Sequence, residues 1–267
     1  MNEIILENIN LPLLQDADLK NKVVLVRVDH NVVKKGIIHD PYRIDATMAT
    51  LYYINAKGGK IILMTHAGRP KNKKTGEIEI SDDTSVQPIV DYLQNKLHIT
   101  IKVPEFHPHE KQGFLDVETS INHLIRDLND HTIDMVYLPN TRWFAGEEAK
   151  GEGADRFAYQ LAGLADIFVN DAFGSWQAHA STVNVAKYLP SYAGFLLQKE
   201  IMNLERISSP DRPFVSVVAG SKFDTKVDSL NALLKVSDYL ILGGVIYNAF
   251  LCAKYGFTIE GIETEDM

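Results

Sequence analysis

Short β-branched, apolar runs alternate along the chain with longer stretches whose apolar positions recur every three or four residues. The runs are Val23–Val28, Lys60–Thr65, Ile99–Val103, Ile133–Leu138, Ile167–Asn170, Pro213–Val218 and Tyr239–Leu242. Nearly continuous hydrophobicity of this length suits strands covered on both faces. Between them, Arg43–Lys57 places Ile44, Thr47, Met48, Leu51 and Ile54 on one side, and Ser85–Leu97 does the same with Val86, Ile89, Val90 and Leu93. Val117–Leu128, Gly153–Leu164, Gly194–Ile207 and Lys226–Val236 are further helical candidates. Strand alternating with helix predicts an α/β fold with a parallel sheet in a three-layer α/β/α arrangement.

Gly194–Ile207 follows Pro190 and precedes Ser208-Ser209-Pro210-Asp211-Arg212-Pro213. A helix running into a Ser/Pro stretch suits an inter-domain connector. The expected division is a first domain over 1–190, a hinge helix over 191–207, and an incomplete second, Rossmann-like domain over 208–267 with two strands. Lys71–Ser81 is a polar, Lys-rich stretch and reads as a mobile surface loop.

Composition narrows the partners. The 267 residues carry 27 Lys and Arg against 35 Asp and Glu, a net charge of −8. Such a chain has no general attraction for nucleic acid or an anionic membrane surface, so any anion must be held by a local basic cluster. One cysteine, Cys252, allows no internal disulfide and fits a reducing, cytoplasmic setting. The N-terminus shows no basic-then-apolar leader, and the apolar run Tyr239–Cys252 is too short to span a bilayer.

In open α/β sheets ligands gather beyond the carboxyl ends of the strands. Here those ends read Asp29-His30-Asn31, His66-Ala67-Gly68-Arg69-Pro70, Pro139-Asn140-Thr141-Arg142 and Asp171 to His179, with Arg43 opening the helix after the first. Asp29, Asn31, Arg43, His66, Arg69, Arg142 and His179 therefore share one rim. Three arginines together in an acidic protein repel one another unless an anion lies between them, and guanidinium forks match phosphate and carboxylate oxygens. A small molecule bearing both groups is the expected ligand. Asp29 is placed to orient Arg43 and, with Asn31, to meet a substrate hydroxyl. Packing is the expected role of His30, Trp143 and Trp176. Asp171 reads as a turn or capping residue, and a buried loop position competes with a ligand role for His179. After the boundary, Ala219-Gly220-Ser221-Lys222 and Lys226 put small residues and two lysines four apart at a helix start, which suits a polyphosphate. Neither a Walker A motif nor GxGxxG is present.

These segments resemble the phosphoglycerate kinase family. Val24–Val32 (VLVRVDHNV) is similar to its VLVRVDFNV, and Ile61–Pro70 (IILMTHAGRP) to its VILMSHLGRP. Asn140-Thr141-Arg142-Trp143-Phe144 sits where the family has ENLRF. Asn170–Gly174 and Ala178–Ser181 match NDAFG and AHAS, and Ala193–Glu200 matches the inter-domain helix. The resemblance implies phosphoryl transfer between 1,3-bisphosphoglycerate and ADP, giving 3-phosphoglycerate and ATP in glycolysis, with Mg2+ carried by the nucleotide and no metal site of the protein's own. It implies that Asp29, Asn31, Arg43, His66, Arg69 and Arg142 hold the phosphoglycerate. Arg43 and Lys222 would act on the transferring group, and Lys222, Lys226, Gly220 and Gly244 would hold the nucleotide.

Departures from the family pattern also carry expectations. Gln177 stands where a substrate-binding arginine is expected, with Trp176 beside it, and Gly243-Gly244-Val245 replaces GGG. The expected second nucleotide loop does not occur before Met267, which predicts exposed apolar surface over 206–267, poor nucleotide binding and slow turnover by this chain. A non-catalytic phosphoglycerate-binding module, or association through the incomplete second domain of what the family resemblance makes a monomer, are the competing expectations.

Overall fold

The computed structural model describes residues 10–105, 117–220 and 226–259, with side chains from 120 onward in the second stretch. The chain divides into two units, Met1–Ile201 and Met202–Met267.

The first unit holds a six-stranded, wholly parallel sheet. Its strands are β1 (Val23–Val28), β4 (Lys60–Met64), β5 (Ile101–Lys102), β6 (Met135–Tyr137), β7 (Ile167–Asp171) and β8 (Ser191–Ala193), in the order β5-β6-β4-β1-β7-β8. A two-stranded antiparallel hairpin, β2 (Val33–Lys34) with β3 (Ile37–Ile38), follows β1. Helices α1 (Tyr42–Asp45), α2 (Met48–Ala56), α3 (Gln87–Leu97), α4 (Val117–Asn129), α5 (Glu152–Ala162) and α6 (Phe195–Ser208) fill the connections. Every residue of β1 is buried, and its side chains alternate between two cores. Val24, Val26 and Val28 face Ile44, Leu51, Ile89 and Leu93. Val23 and Leu25 face Ile121, Phe157, Ala158 and Leu161. The three layers follow from that alternation.

The expected strands form near their expected bounds, and three details differ. The predicted helix Arg43–Lys57 breaks into α1 and α2 around Ala46-Thr47. The hairpin and β8 were not legible, being two or three residues long. Lys71–Ser81, mostly exposed as expected of a surface loop, has local structure of its own: it folds back on itself through a Lys71–Ile78 bridge and an Asn72 N–H to Glu77 O bond of 2.8 Å.

The second unit contains β9 (Val215–Gly220) paired in parallel with β10 (Tyr239–Gly243), and helices α7 (Val227–Leu233) and α8 (Gly244–Tyr255). Val218, Leu230 and Ile246 form its small core, with Leu233, Leu240 and Leu242 against them. Helix α8 was not expected, because Tyr239–Cys252 reads as one apolar run; the left-handed Gly244 (φ +62°) turns strand into helix. No helix among the described residues is long and apolar enough to cross a membrane.

Candidate functional site

Beyond the carboxyl end of β1 the chain carries Asp29, His30 and Asn31. Arg43, on α1, donates from Nη2 to Asp29 Oδ2 and from Nη1 to the Asn31 carbonyl at 3.2 Å. Asn31 Oδ1 accepts the Gly68 N–H at 2.8 Å, and the Gly68 carbonyl accepts from Arg142 Nη1 at 2.7 Å. Asp29, Arg43, Asn31, Gly68 and Arg142 are thus joined across the ends of β1, β4 and β6. Asn140 supports the join: its Nδ2 donates to the carbonyls of Ala67 (2.7 Å) and Thr84 (2.8 Å), and its Oδ1 accepts from the amides of Ala67 and Arg142. Asp29 is buried, and its second oxygen, Oδ1, finds no partner among the described residues. A buried acceptor left open in this way suits a ligand hydroxyl.

The arginines do not stand unopposed as sequence reasoning supposed. Arg43 has Asp29, and Arg142 Nε lies 2.8 Å from Glu148 Oε1. Arg69 is exposed and makes no hydrogen bond or ion pair among the described residues. Arg43 keeps 43% of its side chain exposed despite its pair, so it faces both Asp29 and solvent. It also lines a cavity of about 550 Å³ with Asp29, Gly174, Phe195, Lys199 and Glu200. Of the predicted ligand-holding set, this cavity takes in Asp29 and Arg43; Asn31, His66, Arg69 and Arg142 lie on the adjoining rim. Gly174 lies against this pair: a Cβ there would meet Asp29 Oδ2 and Arg43 Nη2, so a larger residue would have to push the two side-chain ends aside.

Two buried polar groups lie behind the rim, one in each core. His30 follows the face of Val28. Thr47 donates its hydroxyl hydrogen to the Ile44 carbonyl (2.8 Å), so it accepts from His30 Nε2 (3.0 Å), and His30 Nδ1 (3.0 Å) accepts from Tyr137. This chain ties the α1–α2 junction beside Arg43 to the sheet. Burial first, then Arg27, push the His30 pKa down to about 3, and burial pushes the Tyr137 phenol up. On the opposite face Arg27 is wholly buried. Its Nε donates to Ser181 Oγ at 2.8 Å, its Nη2 lies 3.0 Å from His66 Nδ1, and Glu147 Oε1 is 3.9 Å away. Glu147 also accepts from Ser181 Oγ (2.6 Å), Ser181 N (3.0 Å) and Thr141 Oγ1 (3.0 Å). Sequence reasoning missed this second group. Arg27 was visible as a charge inside an apolar strand, but nothing local links it to Glu147 or Ser181.

The other expectations divide. Asp171 Oδ1 accepts the amides of Leu196 (2.9 Å) and Leu197 (3.1 Å), so it caps α6, as a capping residue should. Burial raises its pKa to about 6, opposed by the Thr50 hydroxyl and those amides. Trp143 packs, with Nε1 donating to Thr84 Oγ1 at 2.9 Å. Trp176 is 79% exposed, so packing is not its role: it sits in a surface loop after the 3-10 turn Phe173–Ser175. Gln177 is exposed and His179 half-buried.

In the second unit, Gly220 and Gly244 are bridge partners, and a Cβ on Gly244 would lie 2.8 Å from the Gly220 carbonyl oxygen. Lys226 Cε comes within 3.8 Å of a Cβ built on Gly220, so three of the nucleotide-binding candidates share the ends of β9 and β10. Lys226 immediately precedes α7. Lys222 lies outside the described residues. Val245 is half-buried in the first turn of α8. No group of three or more His, Cys, Asp or Glu is placed to hold a metal ion among the described residues.

Comparison with known proteins decides the family. A family model described as phosphoglycerate kinase matches residues 14–267. The chain belongs to the phosphoglycerate kinase family. A phosphoglycerate kinase of Moorella thermoacetica is 41% identical over 244 residues, covering 90% of this chain and 57% of that protein. One from Wolbachia sp. subsp. Drosophila simulans is 38% identical over 245 residues, covering 91% of this chain and 56% of the relative. Among solved structures, phosphoglycerate kinase from Coxiella burnetii superposes with a TM-score of 0.71 at 31% identity, over 96% of this chain and 60% of that one. That from Pyrococcus horikoshii superposes with a TM-score of 0.73 at 26% identity, over 93% of this chain and 58% of that one. The chain therefore spans under two-thirds of the length of these phosphoglycerate kinases.

Proposed function

We propose that this protein is a phosphoglycerate kinase whose strand-end rim holds 3-phosphoglycerate. The observation that carries the reading is the bonded series Asp29, Arg43, Asn31, Gly68 and Arg142 across neighbouring strand ends of a family member. In the forward direction an ADP β-phosphate oxygen attacks the acyl phosphorus of 1,3-bisphosphoglycerate, the phosphorus–carboxyl bond breaks, and 3-phosphoglycerate leaves as a carboxylate. In reverse the nucleophile is already a carboxylate, so no proton must be removed and no general base is needed. Catalysis then reduces to in-line positioning and cancelling negative charge. Arg43, exposed yet aimed by Asp29, suits that task at the transferring group. Asp29 Oδ1 suits the substrate hydroxyl, and Asn31, His66, Arg69 and Arg142 the remaining oxygens.

For the second ligand, Lys222, Lys226, Gly220 and Gly244 form the nucleotide-binding set, and Mg2+ arrives with ADP or ATP as part of that substrate. The glycines allow phosphate oxygens close to the backbone and the lysines supply charge. Residues 1–190 form the phosphoglycerate-binding domain, 191–207 the hinge and 208–267 the nucleotide-binding part. A cytoplasmic location agrees with the single cysteine.

Calorimetry with this chain tests the reading. Binding of 3-phosphoglycerate is expected, with weaker MgADP binding and slow turnover in a coupled assay. Absence of 3-phosphoglycerate binding at millimolar ligand overturns the rim assignment. Binding of 3-phosphoglycerate with no MgADP binding would instead favour the phosphoglycerate-binding module.

A further inference from the structure

His66 stands at the rim with one ring nitrogen turned inward and one left over. Its Nδ1 lies 3.0 Å from Arg27 Nη2. A guanidinium can donate but never accept, so Nδ1 must be the acceptor, the ring neutral and its proton on Nε2. Nε2 has no hydrogen-bond partner among the described residues, and it does not belong to the buried polar atoms left unsatisfied. His66 as a whole is buried, but this nitrogen is not sealed from solvent.

Arg27 cannot turn away to release this constraint. Its Nε is held by Ser181, Ser181 is held by both oxygens of Glu147, and Thr141 adds a third bond to the same carboxylate. Arg27, Ser181 and Glu147 are all buried. A buried arginine is retained only where its charge and donors are matched, and here one donor is spent on a histidine ring.

We propose that Arg27 is a positioning residue that locks His66 as the neutral Nε2–H tautomer, making His66 a fixed hydrogen-bond donor toward the ligand. The consequence is a rim contact that does not titrate. The charged and titratable groups acting on His66 are Arg27 from β1, Arg142 from the loop after β6, His179 from the loop after β7 and Arg43 from α1. All are basic, so each opposes an imidazolium. Burial first, then Arg27 and the other basic neighbours, hold the His66 pKa down to about 2. The ligand class rests on the phosphoglycerate reading above; the tautomer does not.

Imidazole nitrogen NMR on the 15N-labelled 267-residue chain tests the proposal. His66 signals are identified by their loss in His66→Gln. The expected result is an unprotonated Nδ1 and a protonated Nε2, both unmoved from about pH 8 to about pH 5. A coupling across the hydrogen bond from Arg27 Nη2 to His66 Nδ1 is also expected in the unmutated chain. A proton on Nδ1, a titration near the ordinary histidine pKa, or no such coupling would overturn it. In Arg27→Met the ring should populate both tautomers and titrate, while Arg27→Lys should preserve the wild-type pattern. A Met variant that folds and keeps the wild-type pattern would also overturn the proposal. If that variant fails to fold, the coupling in the unmutated chain decides. Wild-type affinity for 3-phosphoglycerate should show no His66 inflection over the same range. If the NMR result holds but 3-phosphoglycerate does not bind, the ligand reading fails and the tautomer lock stands.

Discussion

Arg43 is held by Asp29 and the Asn31 carbonyl, and Arg142 by the Gly68 carbonyl with Glu148 in ionic contact at its Nε, which forms no hydrogen bond among the described residues, so both guanidinium groups are placed before any ligand arrives. Preorganised charge of this kind is what substrate positioning requires. Arg43→Ala or Arg142→Ala should weaken 3-phosphoglycerate binding by about tenfold or more, since a charged hydrogen bond contributes about 1.5–3 kcal/mol. A calorimetric change of less than about twofold in either would remove that residue from the site. His30 carries a separate pH prediction. Buried neutral His30 and His66 take up protons in the unfolded chain near pH 6.5 but not in the folded one until about 3 and about 2. Stability therefore falls as pH drops below about 6.5. Asp171 acts with the opposite sign between about pH 4 and about 6, because burial makes the folded state bind its proton first. The balance is two protons against one, a slope of about 1.4 kcal/mol per pH unit near pH 5. His30→Phe, the residue at this place in the resembling family segment, should flatten that slope to near zero in urea titrations. An unchanged slope would show that His30 is not held neutral. The residue types of the rim were legible because each ends an apolar strand. The pairing of Arg27 with Glu147 and Ser181 was not, since those residues are 120 or more positions from Arg27.

At the scale of elements, the strand ends act by bringing together loops that are remote in sequence. Asn140 does this for the loops after β4 and β6, and Asp171 for β7 and α6. Removing the α6 cap with Asp171→Ala should cost about 1 kcal/mol in chemical denaturation, since two helix amides lose their acceptor. No loss of stability would mean that α6 is fixed by packing alone. Asp171→Asn should retain much of the effect by keeping an oxygen acceptor. The break between α1 and α2 shows why periodicity alone failed there. Ile44, Met48 and Leu51 fit one continuous apolar stripe, yet the hydrogen bonds of Thr47 with Ile44 and His30 fix the junction where the helix is interrupted. Tertiary hydrogen bonding overrode a local preference worth only tenths of a kcal/mol per residue.

For the whole molecule, the two units differ sharply in how well they are covered. In the first, the strands are closed by helices on both faces. In the second, Val218, Leu240 and Leu242 pack beneath the helices, while Val215, Val217, Tyr239 and Ile241 point the other way and are 47–69% exposed. An open β-branched face of this kind favours association. Light scattering should show a mass that rises with concentration and becomes constant when residues 206–267 are removed. Val217→Lys should reduce the rise, and a concentration-independent mass for the intact chain would count against association. The sequence by itself determined the α/β class, most strands of the sheet, the strand-end rim and the family resemblance. These depend on hydrophobic period and on short contiguous segments, which are local properties. Only the tertiary structure decided that a carboxylate already lies against each of two rim arginines, that the two buried histidines are neutral and point in opposite directions, and that the apolar surface expected to be exposed over 206–267 includes one face of β9 and β10. The physical reason is that charge pairing, burial and tautomer depend on which distant side chains share a few ångströms, and parallel strand order sets that separation without leaving a periodic trace in the chain.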